Sequence, residues 1–587
     1  HLLVVEGKRK ASGAHETSRA HFLGRGRTPR APAALCDKSG PRLSGTTGAT
    51  LDPIMALGQE IDLQPYATTQ LAYLTLVAKS RPEAVRLARR YQAFRLIDRA
   101  FELSDSAGDL ELHQLGLTMP EVEWFQQLLT VLLFPHLALR ADPATLAANQ
   151  KGQSGLWPYA ISGDHPILLV RIAGQDEIAL VGELLRAHAY WRNRHIKIDL
   201  VILNLQDTSY SQELHNRLHQ MIARTGGDAW LNRRGGIFLL RADRMSAADQ
   251  LLLETVSRAV LDGEKGQLSD QLGPLRERST RLPPFVSTLS PPEQEELTPF
   301  LARPHDLLFD NSLGGFTADG REYVIYLEQS PGTCPEPVEG SAGWSGQGVP
   351  APWINVISNP EFGFLVSEAG SGCTWARNSG ENRLTPWRND PVTDLPGEAL
   401  YLRDEEVGHV WSPTPLPAGA PAPYLIRHGA GYSVFEHNSH GLKQRVRVFA
   451  ARDAPVKLLQ LRLENTWNRN RRITATFYSE WVLGTTRDVH QQYIVSEFDA
   501  IHNAMLACNP YNEEFGEQVA FLSANREPHG LTADRTEFLG REGSLRRPAA
   551  LDRMGLAGTV KAGLDPCAAY QVHIWLAPGA VSYTHLT

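Results

Sequence analysis

The hydrophobic pattern along the chain changes twice, which predicts three kinds of structure in succession. Between residues 82 and about 150, apolar positions recur at helical spacing. Three helices are expected there, each with a proline in its first turn, where a missing N–H costs nothing. These prolines are Pro82, Pro120 and Pro143, the last preceded by Asp142 as a candidate N-cap.

The second region, from Ile167 to about Leu261, alternates continuous apolar runs of strand length with helical stretches. This pattern favours a small parallel, doubly wound sheet, whose strand ends often bind ligands. Those ends fall after Ile172, Asn204 and Ala242, but no glycine-rich phosphate-binding motif follows any of them. A structural role is therefore favoured over a nucleotide site, and both readings stay open.

From about Leu307 onward the pattern becomes one of many short strands separated by Gly, Asn, Pro and Asp. KLLQLRLEN, for example, alternates apolar and polar positions, so that one face can pack and the other can meet water. Regularly spaced strands of this kind predict a large antiparallel β-sandwich. The Pro- and Gly-rich stretch from Ser330 to Pro350 is expected to be an exposed loop or insertion.

Two distant segments of the chain carry nearly the same sequence. FLGRGRTPRAPAAL starts at Phe22 and FLGREGSLRRPAAL starts at Phe538, 516 positions later (538 minus 22). A second block, SGTTGATLDP and AGTVKAGLDP, continues the match at an offset of 513 (557 minus 44). Ordered matches at two constant offsets indicate a duplicated, domain-sized module, since solenoid repeats run to only about 20–50 residues.

The duplication suggests domain boundaries and a chain that is a fragment of a longer protein. Residues 1–78 are expected to be the C-terminal tail of a first β-sandwich copy, and residues 79–165 a helical segment. Residues 166–275 are expected to form the small α/β domain. Residues 276–587 would be a second supersandwich, truncated at its C-terminal end. The fold class is thus multidomain and mainly β.

Composition narrows the class of function. The formal net charge is −7 and 42% of residues are hydrophobic, which gives no indication of nucleic acid as a partner. The five cysteines are scattered and lack metal-ligand spacing. The longest apolar runs are far shorter than the roughly 20 residues of a membrane span. No metal, cofactor or membrane span is expected.

One polar and aromatic segment of the sandwich, residues 378–417 continued by 424–441, is a candidate sugar-binding region. Aromatic rings can stack on the C–H faces of sugars, and arginine supplies forked donors for their hydroxyls. The candidate substrate-binding residues are Trp387, Arg388, Arg403, Trp411, Arg427, His428 and Tyr432. The alternative is that the tryptophans pack in the core and the charged neighbours form salt bridges at its rim.

Two further clusters are weaker candidates for a catalytic or metal-binding site. Asp404, Glu405 and Glu406 form a run of charge that is expected to be a solvated turn rather than a pair of catalytic acids. His437 and His440 stand three residues apart without a third candidate ligand nearby, which is weak evidence for a metal site. No catalytic residue is assigned.

Several long motifs resemble the N-terminal β-supersandwich of the cellobiose/chitobiose phosphorylase family. They are FDNSLGGFTADGREYVI, APWINVISNPEFGFLVSEAGSGCTWARNSGENRLTPWRNDPV, GEALYLRDEEVGHVWSPTPLP and RHGAGY. The duplication and GQSGLWPYAISGDHPILLVRI are more similar to the cyclic β-1,2-glucan synthases. Those large bacterial proteins join a membrane glycosyltransferase to phosphorylase-like modules. The resemblance extends over nearly all of the chain, from Arg19 to Ala580.

The resemblance implies that an (α/α)6 barrel carrying the catalytic acid adjoins the supersandwich, and that this chain ends before that barrel. In such inverting phosphorolysis the acid and the attacking phosphate act from opposite faces of the sugar. We therefore expect a non-catalytic part of a glycosyltransferase or glycoside phosphorylase, with β-glucan oligosaccharide or polysaccharide and the barrel as partners. The alternative is a stand-alone glucan-binding or scaffolding region without catalysis. The resemblance also implies a place on the bacterial cytoplasmic side, with the parent protein anchored in the inner membrane by other segments.

Overall fold

The fold is described from a computed structural model. The structure describes residues 1–5, 13–36, 43–206, 211–273, 275, 282–289, 298–328 and 349–587. They form two compact units. The first holds the described residues of 1–118 together with 390–394, and the second holds those of 119–328, 349–389 and 395–587. The predicted loop at 330–350 lies outside the described residues except for its last two positions.

The described residues of the first unit form four short strands and four helices. They are β1 (Leu2–Val5), β2 (Ala14–Ser18), α1 (Arg19–Leu23), α2 (Ala33–Cys36), β3 (Pro53–Gly58), β4 (Leu71–Leu74), α3 (Arg81–Arg90) and α4 (Phe94–Leu115). β1 pairs with β4 and β2 pairs with β3, both antiparallel. The Ser80 hydroxyl accepts the Glu83 N–H at the start of α3, and Gly116 ends α4 in the left-handed conformation. A helix with Pro82 in its first turn forms as predicted, but the single helix expected there is divided into α3 and α4, so that four α-helices rather than three cover residues 81–148.

The second unit opens with two helices, α5 (Met119–Leu133) and α6 (Pro143–Ala148). α5 buries Phe125, Leu128 and Leu132 on one face. Asp142 accepts two backbone N–H groups at the start of α6, as its sequence position predicted. Within the described ranges, no helix combines the length and apolar character that a membrane span requires.

A small parallel sheet with flanking helices follows. Its elements are β5 (Ile167–Ile172), α7 (Ile178–Asn193), β6 (Asp199–Asn204), α8 (Ser211–Arg224), β7 (Ile237–Arg241), α9 (Ala247–Val256), β8 (Ala259–Asp262) and α10 (Leu268–Leu272). The strand order is β7-β6-β5-β8, and all three pairings are parallel. The predicted small parallel sheet is confirmed, and β8 was not predicted. Where β5 meets β8, Arg171 forms ion pairs with Asp262 and Glu254 at 2.7 and 2.8 Å.

The remaining elements are almost all strands. They are β9 (Gly314–Phe316), β10 (Glu322–Leu327), β11 (Ile354–Ser358), β12 (Phe362–Ser367), β13 (Gly372–Ala376), β14 (Glu398–Asp404), β15 (Val410–Trp411), β16 (Tyr424–Gly429), β17 (Tyr432–Ser439), β18 (Leu442–Ala450), β19 (Lys457–Asn465), β20 (Arg471–Glu480), α11 (Arg487–His490), β21 (Val495–Asp499), β22 (Ala504–Cys508), β23 (Val519–Ser523), β24 (Gly530–Asp534), α12 (Arg535–Leu539), β25 (Pro566–Leu576) and β26 (Val581–Leu586). Short 3-10 helices cover 137–139, 153–159, 228–230, 242–244, 263–265, 491–493 and 549–552.

These strands form four antiparallel sheets that pack as a large sandwich. The two largest have the orders β26-β19-β18-β17-β16-β10-β9 and β15-β14-β20-β25-β24, and two three-stranded sheets, β11-β12-β13 and β21-β22-β23, accompany them. The main core joins residues of both large sheets, such as Phe435 and Leu461 with Ile473 and Val572. KLLQLRLEN forms β19 with alternating burial, as predicted. The mainly β, multidomain fold class is confirmed.

The five-stranded sheet is covered on both faces. One face joins the main core, while the other packs through Tyr401 and Tyr478 on the helix α12 and the loop after it. The ring of Phe538 from α12 stacks on Tyr478 with centroids 4.8 Å apart. The second copy of the repeated sequence is therefore part of the wall of the sandwich.

The duplicated sequences fold in the same way. In each copy a strand runs directly into a short helix, β2 into α1 and β24 into α12. That strand pairs with the strand that begins at the proline of the repeated Leu-Asp-Pro, which is β3 in the first copy and β25 in the second. The first residue of each helix, Arg19 or Arg535, forms an ion pair with the aspartate of the repeated Leu-Asp-Pro, Asp52 or Asp565, at 2.8 and 3.4 Å. The sequence repeat is thus a structural repeat.

The helix in each copy ends at a glycine with unusual backbone geometry. Gly24 has φ and ψ of 79° and 151°, and Gly540 has 81° and 156°. A Cβ at either position would lie 2.8 Å from the Cβ of Ala33 or Ala549. Both glycines are therefore required by the backbone and by the close packing of the turn.

Candidate functional site

Trp387 is the predicted site residue with the most accessible ring. It lies in the loop between β13 and β14 and is 47% exposed. The guanidinium of Arg383 lies 5.4 Å from the centroid of its ring, at the distance of a cation–π contact. The Arg383 guanidinium is held there by hydrogen bonds to the carbonyls of Ser379 and Thr485 at 2.9 and 2.8 Å. About half of Trp387 stays exposed beside it, an arrangement suited to the C–H face of a sugar.

Arg388, the next residue, is held by a buried carboxylate. Its Nη2 donates to Oε2 of Glu480 at 2.9 Å, and a third of its side chain is exposed. Arg487 and Arg535 also form ion pairs with Glu480, at 3.0 and 3.3 Å. Because Glu480 is fully buried and shared by three arginines, it fixes the direction of Arg388 beside Trp387.

Arg427 and Tyr432 are brought together by a third residue, Glu322 of β10. Arg427 Nη1 donates to Oε2 of Glu322 at 3.2 Å, and the Tyr432 hydroxyl donates to Oε1 at 2.7 Å. This hydrogen bond raises the pKa of Tyr432. Both side chains are half-buried at the β16–β17 turn, where Gly431 has a φ of 89°. The predicted loop is thus partly exposed.

His428 follows Arg427 on β16, so the two side chains lie on opposite faces of that strand. Its Nδ1 pairs with the Ser433 hydroxyl at 2.9 Å. Burial lowers the pKa of His428 to about 4, so the ring is neutral at pH 7. Its surroundings favour packing, and it offers no charge to a ligand.

Arg403 and Trp411 lie inside the protein, each 1% exposed. The Trp411 indole N–H donates to Gln444 at 2.9 Å, and its ring stacks on His440 with centroids 4.2 Å apart. Arg403 donates to Glu405 at 2.7 Å and to two backbone carbonyls. Neither side chain has an exposed surface that a sugar could touch in this structure. Both are packed inside the protein, as in the alternative stated in the sequence analysis.

The acidic run at 404–406 is not the solvated turn that the sequence predicted. Asp404 ends β14, is 1% exposed and pairs with the equally buried Arg471 at 2.5 Å. Burial alone would raise the pKa of Asp404, but the charge of Arg471 outweighs it and the pKa lies below its usual range. The prediction was wrong because charge in sequence does not reveal a buried partner 67 positions away (471 minus 404).

The histidines of EHNSHG also serve packing. His437 stacks on Tyr424 with centroids 3.8 Å apart, and His440 stacks on Trp411. Throughout the part of the chain that the structure describes, no group of three or more His, Cys, Asp or Glu side chains is placed to hold a metal ion.

Sequence reasoning missed the acidic partners of the candidate arginines, Glu322, Glu436 and Glu480. Glu436 lies 3.5 Å from both Arg427 and Arg445. Glu322 and Glu436 lie on the two strands that flank β16, so the pairing register of that sheet brings them to Arg427. Glu480 lies on β20 and meets Arg388 from a loop, which no local pattern reveals. One signal available in the sequence was the opposite charge of Glu436 and Arg445, which face each other on β17 and β18.

Comparison with known proteins settles the family. The sequence model of the glycosyl hydrolase 94 supersandwich domain matches residues 2–94 and 342–584, more than half of the chain. The chain belongs to the glycosyl hydrolase 94 supersandwich family. The two matched stretches include the two copies of the repeated turn, in agreement with a duplicated module.

Relatives in this family are carbohydrate-active proteins. The chain is 34% identical to the cyclic β-(1,2)-glucan synthase NdvB of Rhizobium meliloti strain 1021, over 99% of this chain and 20% of that protein. It is 26% and 27% identical to the N,N'-diacetylchitobiose phosphorylases of Vibrio proteolyticus and Vibrio furnissii, over 45% of this chain and 32% of each. The chain therefore spans about a fifth of NdvB and about a third of the phosphorylases.

Proposed function

We propose that this chain is a carbohydrate-binding, non-catalytic part of an enzyme similar to cyclic β-1,2-glucan synthase. In this proposal its sandwich binds β-glucan beside an adjoining (α/α)6 barrel that supplies the catalytic acid. Membership of the supersandwich family and the identity to NdvB support the carbohydrate-active class. We further propose that the parent protein works on the cytoplasmic side of a bacterial inner membrane.

The observation that carries the proposal is the open face of Trp387. Its ring is half exposed, the Arg383 guanidinium lies 5.4 Å away, and Arg388 is oriented by a buried carboxylate. A pyranose can stack its C–H face on the indole while its hydroxyls meet the two guanidinium groups. Such shallow, hydrated sites typically give Kd values from about 1 mM to about 1 μM.

The loop at Arg427 is the second proposed contact. Arg427 already pairs with Glu322 and Glu436, so a sugar hydroxyl would share these donors and acceptors rather than meet a free charge. We expect Arg427 to orient saccharide and Trp387 to supply most of the affinity, because stacking removes apolar surface from water.

Trp387→Ala tests the proposal. Binding of β-1,2-linked gluco-oligosaccharides, measured by titration calorimetry, is expected to weaken at least ten-fold because the ring that stacks on the sugar is lost. Arg427→Ala is expected to weaken it less. Circular dichroism spectra should be unchanged, since Trp387 lies in an exposed loop.

Trp157→Ala is the matched control. Trp157 is 62% exposed and lies in the 3-10 helix before β5, away from the candidate residues in sequence. Its removal is expected to leave the titration heats unchanged. Unchanged heats in Trp387→Ala and Arg427→Ala as well would reject the surface and return these residues to purely structural roles.

A further inference from the structure

A cavity of about 480 Å³ lies inside the second unit, within the sandwich. Its wall contains residues of β13, β14, β20 and the start of β19, together with residues of the loop after β22 and of β23. The volume lies within the range of roughly 300–1,000 Å³ that small-molecule sites occupy. None of the residues proposed above for sugar binding lines it.

The apolar part of the wall combines aromatic and aliphatic side chains. Phe362, Phe477 and Trp481 line the cavity, and Leu384 completes this side. Phe521, which also contributes to the wall, is 42% exposed. Flat rings around a space of this size suit a ligand with apolar ring faces rather than a flexible charged chain.

The charged side chains of the wall neutralise one another. Lys457 Nζ lies 2.7 Å from Glu398 Oε2, and Thr385 also donates to Glu398. Near-surface Arg377 pairs with Glu361 at 3.0 Å. A charged ligand would have to break one of these pairs, which is costly when the pair is buried. The lining therefore selects a neutral ligand.

One residue of the wall, Asn509, carries a buried polar atom that has no partner. Asn509 is 2% exposed, and its Nδ2 donates to the carbonyl of Leu483 at 2.8 Å and pairs with Nδ1 of His490 at 3.1 Å. These contacts fix which end of the amide carries the donors. Among the described residues no group donates to its Oδ1, and an unmade buried hydrogen bond of this kind costs about 1–3 kcal/mol.

We propose that this cavity is a second saccharide site, which accepts one glucose unit of a neutral β-linked glucan. The ring faces pack between Phe477 and Trp481, and a sugar hydroxyl donates to Oδ1 of Asn509. The proposal rests on the proposed sugar-binding function and adds a second site, open to solvent on one side, to the surface at Trp387.

The test is carried out in the Trp387→Ala background with sophorose, a β-1,2-linked glucose disaccharide, and titration calorimetry. Residual binding is expected in Trp387→Ala, and Asn509→Leu added to it should weaken that binding at least ten-fold. Ala520→Met, which fills cavity volume while keeping Asn509, should have the same effect.

Asn149→Leu is the control for lost stability. Asn149 is also 2% exposed, but both ends of its amide bond with the backbone of Lys151, outside the cavity. This variant should bind sophorose as its parent does. Thermal unfolding of all variants shows whether Asn509→Leu and Ala520→Met remain folded at the titration temperature.

The outcomes separate the two sites. If Trp387→Ala alone abolishes all binding, the cavity is rejected and the surface proposal stands. If Asn509→Leu alone abolishes it, the cavity stands and the surface proposal fails. Tighter binding of glucose 1-phosphate than of sophorose would overturn the neutral ligand, and no binding by the unmodified protein would overturn both sites.

Discussion

At the scale of single residues, burial separates tryptophans that look alike in the sequence. Trp387 and Trp411 both stand among prolines and charged or polar residues, yet one is 47% exposed and the other 1%. Trp411 is buried because it faces Leu402 in the pairing of β15 with β14. A strand of only two residues shows no period, so local pattern could not distinguish the platform from the core residue.

The buried pair of Asp404 and Arg471 is expected to be a major determinant of stability. Arg471→Leu removes the buried partner of the Asp404 carboxylate and leaves it only the more exposed Arg469, 3.2 Å away, as a cationic partner. The substitution should destabilise the sandwich by about 3–5 kcal/mol, measured by thermal unfolding. Arg462→Leu is the control, because Arg462 is partly exposed in its pair with Glu464 and should cost less than about 1 kcal/mol. Equal, small effects of the two substitutions would contradict this expectation.

The same pair predicts how stability depends on pH. Arg471 holds the folded pKa of Asp404 below its unfolded value, so the stabilisation is present above about pH 4 and is lost as the pH falls through the folded pKa. The difference in melting temperature between the parent and Arg471→Leu is therefore expected to shrink on acidification below about pH 4. A difference that is constant or that grows would be the contrary result.

At the scale of elements, periodicity predicted well where an element buries one clear face. The apolar runs of β5, β6 and β7 and the proline-led helices α3, α5 and α6 fall where the sequence placed them. β8 was not predicted from the sequence because it has only four residues and two of them are half-buried. Such short elements are defined by their neighbours in the sheet rather than by their own composition.

The duplicated turn gives a prediction at this scale. Gly540→Ala should destabilise the protein by about 1–3 kcal/mol, because its φ and ψ lie in a region that is essentially limited to glycine and because the new Cβ would meet Ala549. The same substitution at Gly24 is expected to weaken the first unit. Thermal unfolding with local hydrogen exchange measures both effects.

Gly555→Ala is the matched control for the turn. A Cβ at Gly555 meets no atom within 4 Å, and its φ is not positive. Its stability should equal that of the parent within about 0.5 kcal/mol. A loss as large as that of Gly540→Ala would show that the repeated turn tolerates side chains as other loops do.

At the scale of the whole molecule, long ordered motifs and the internal repeat were sufficient to predict the supersandwich and its family. The candidate surface was less predictable, because its geometry depends on partners distant in sequence. Arg427 and Glu322 are 105 positions apart and meet only through the pairing of β10 with β16. The domain boundaries and the sugar contacts of the candidate residues remain predictions.

The pairing order of the five-stranded sheet has a consequence for how the protein is made. β20 pairs with β25, which starts 86 residues after β20 ends (566 minus 480). At about 5–20 residues per second, a ribosome needs roughly 4–17 s to supply that partner. During this interval β14 can already pair with one edge of β20, but the edge that will meet β25 is open, which makes the nascent chain prone to self-association. Chaperones that hold emerging polypeptides would protect β20 until β25 arrives.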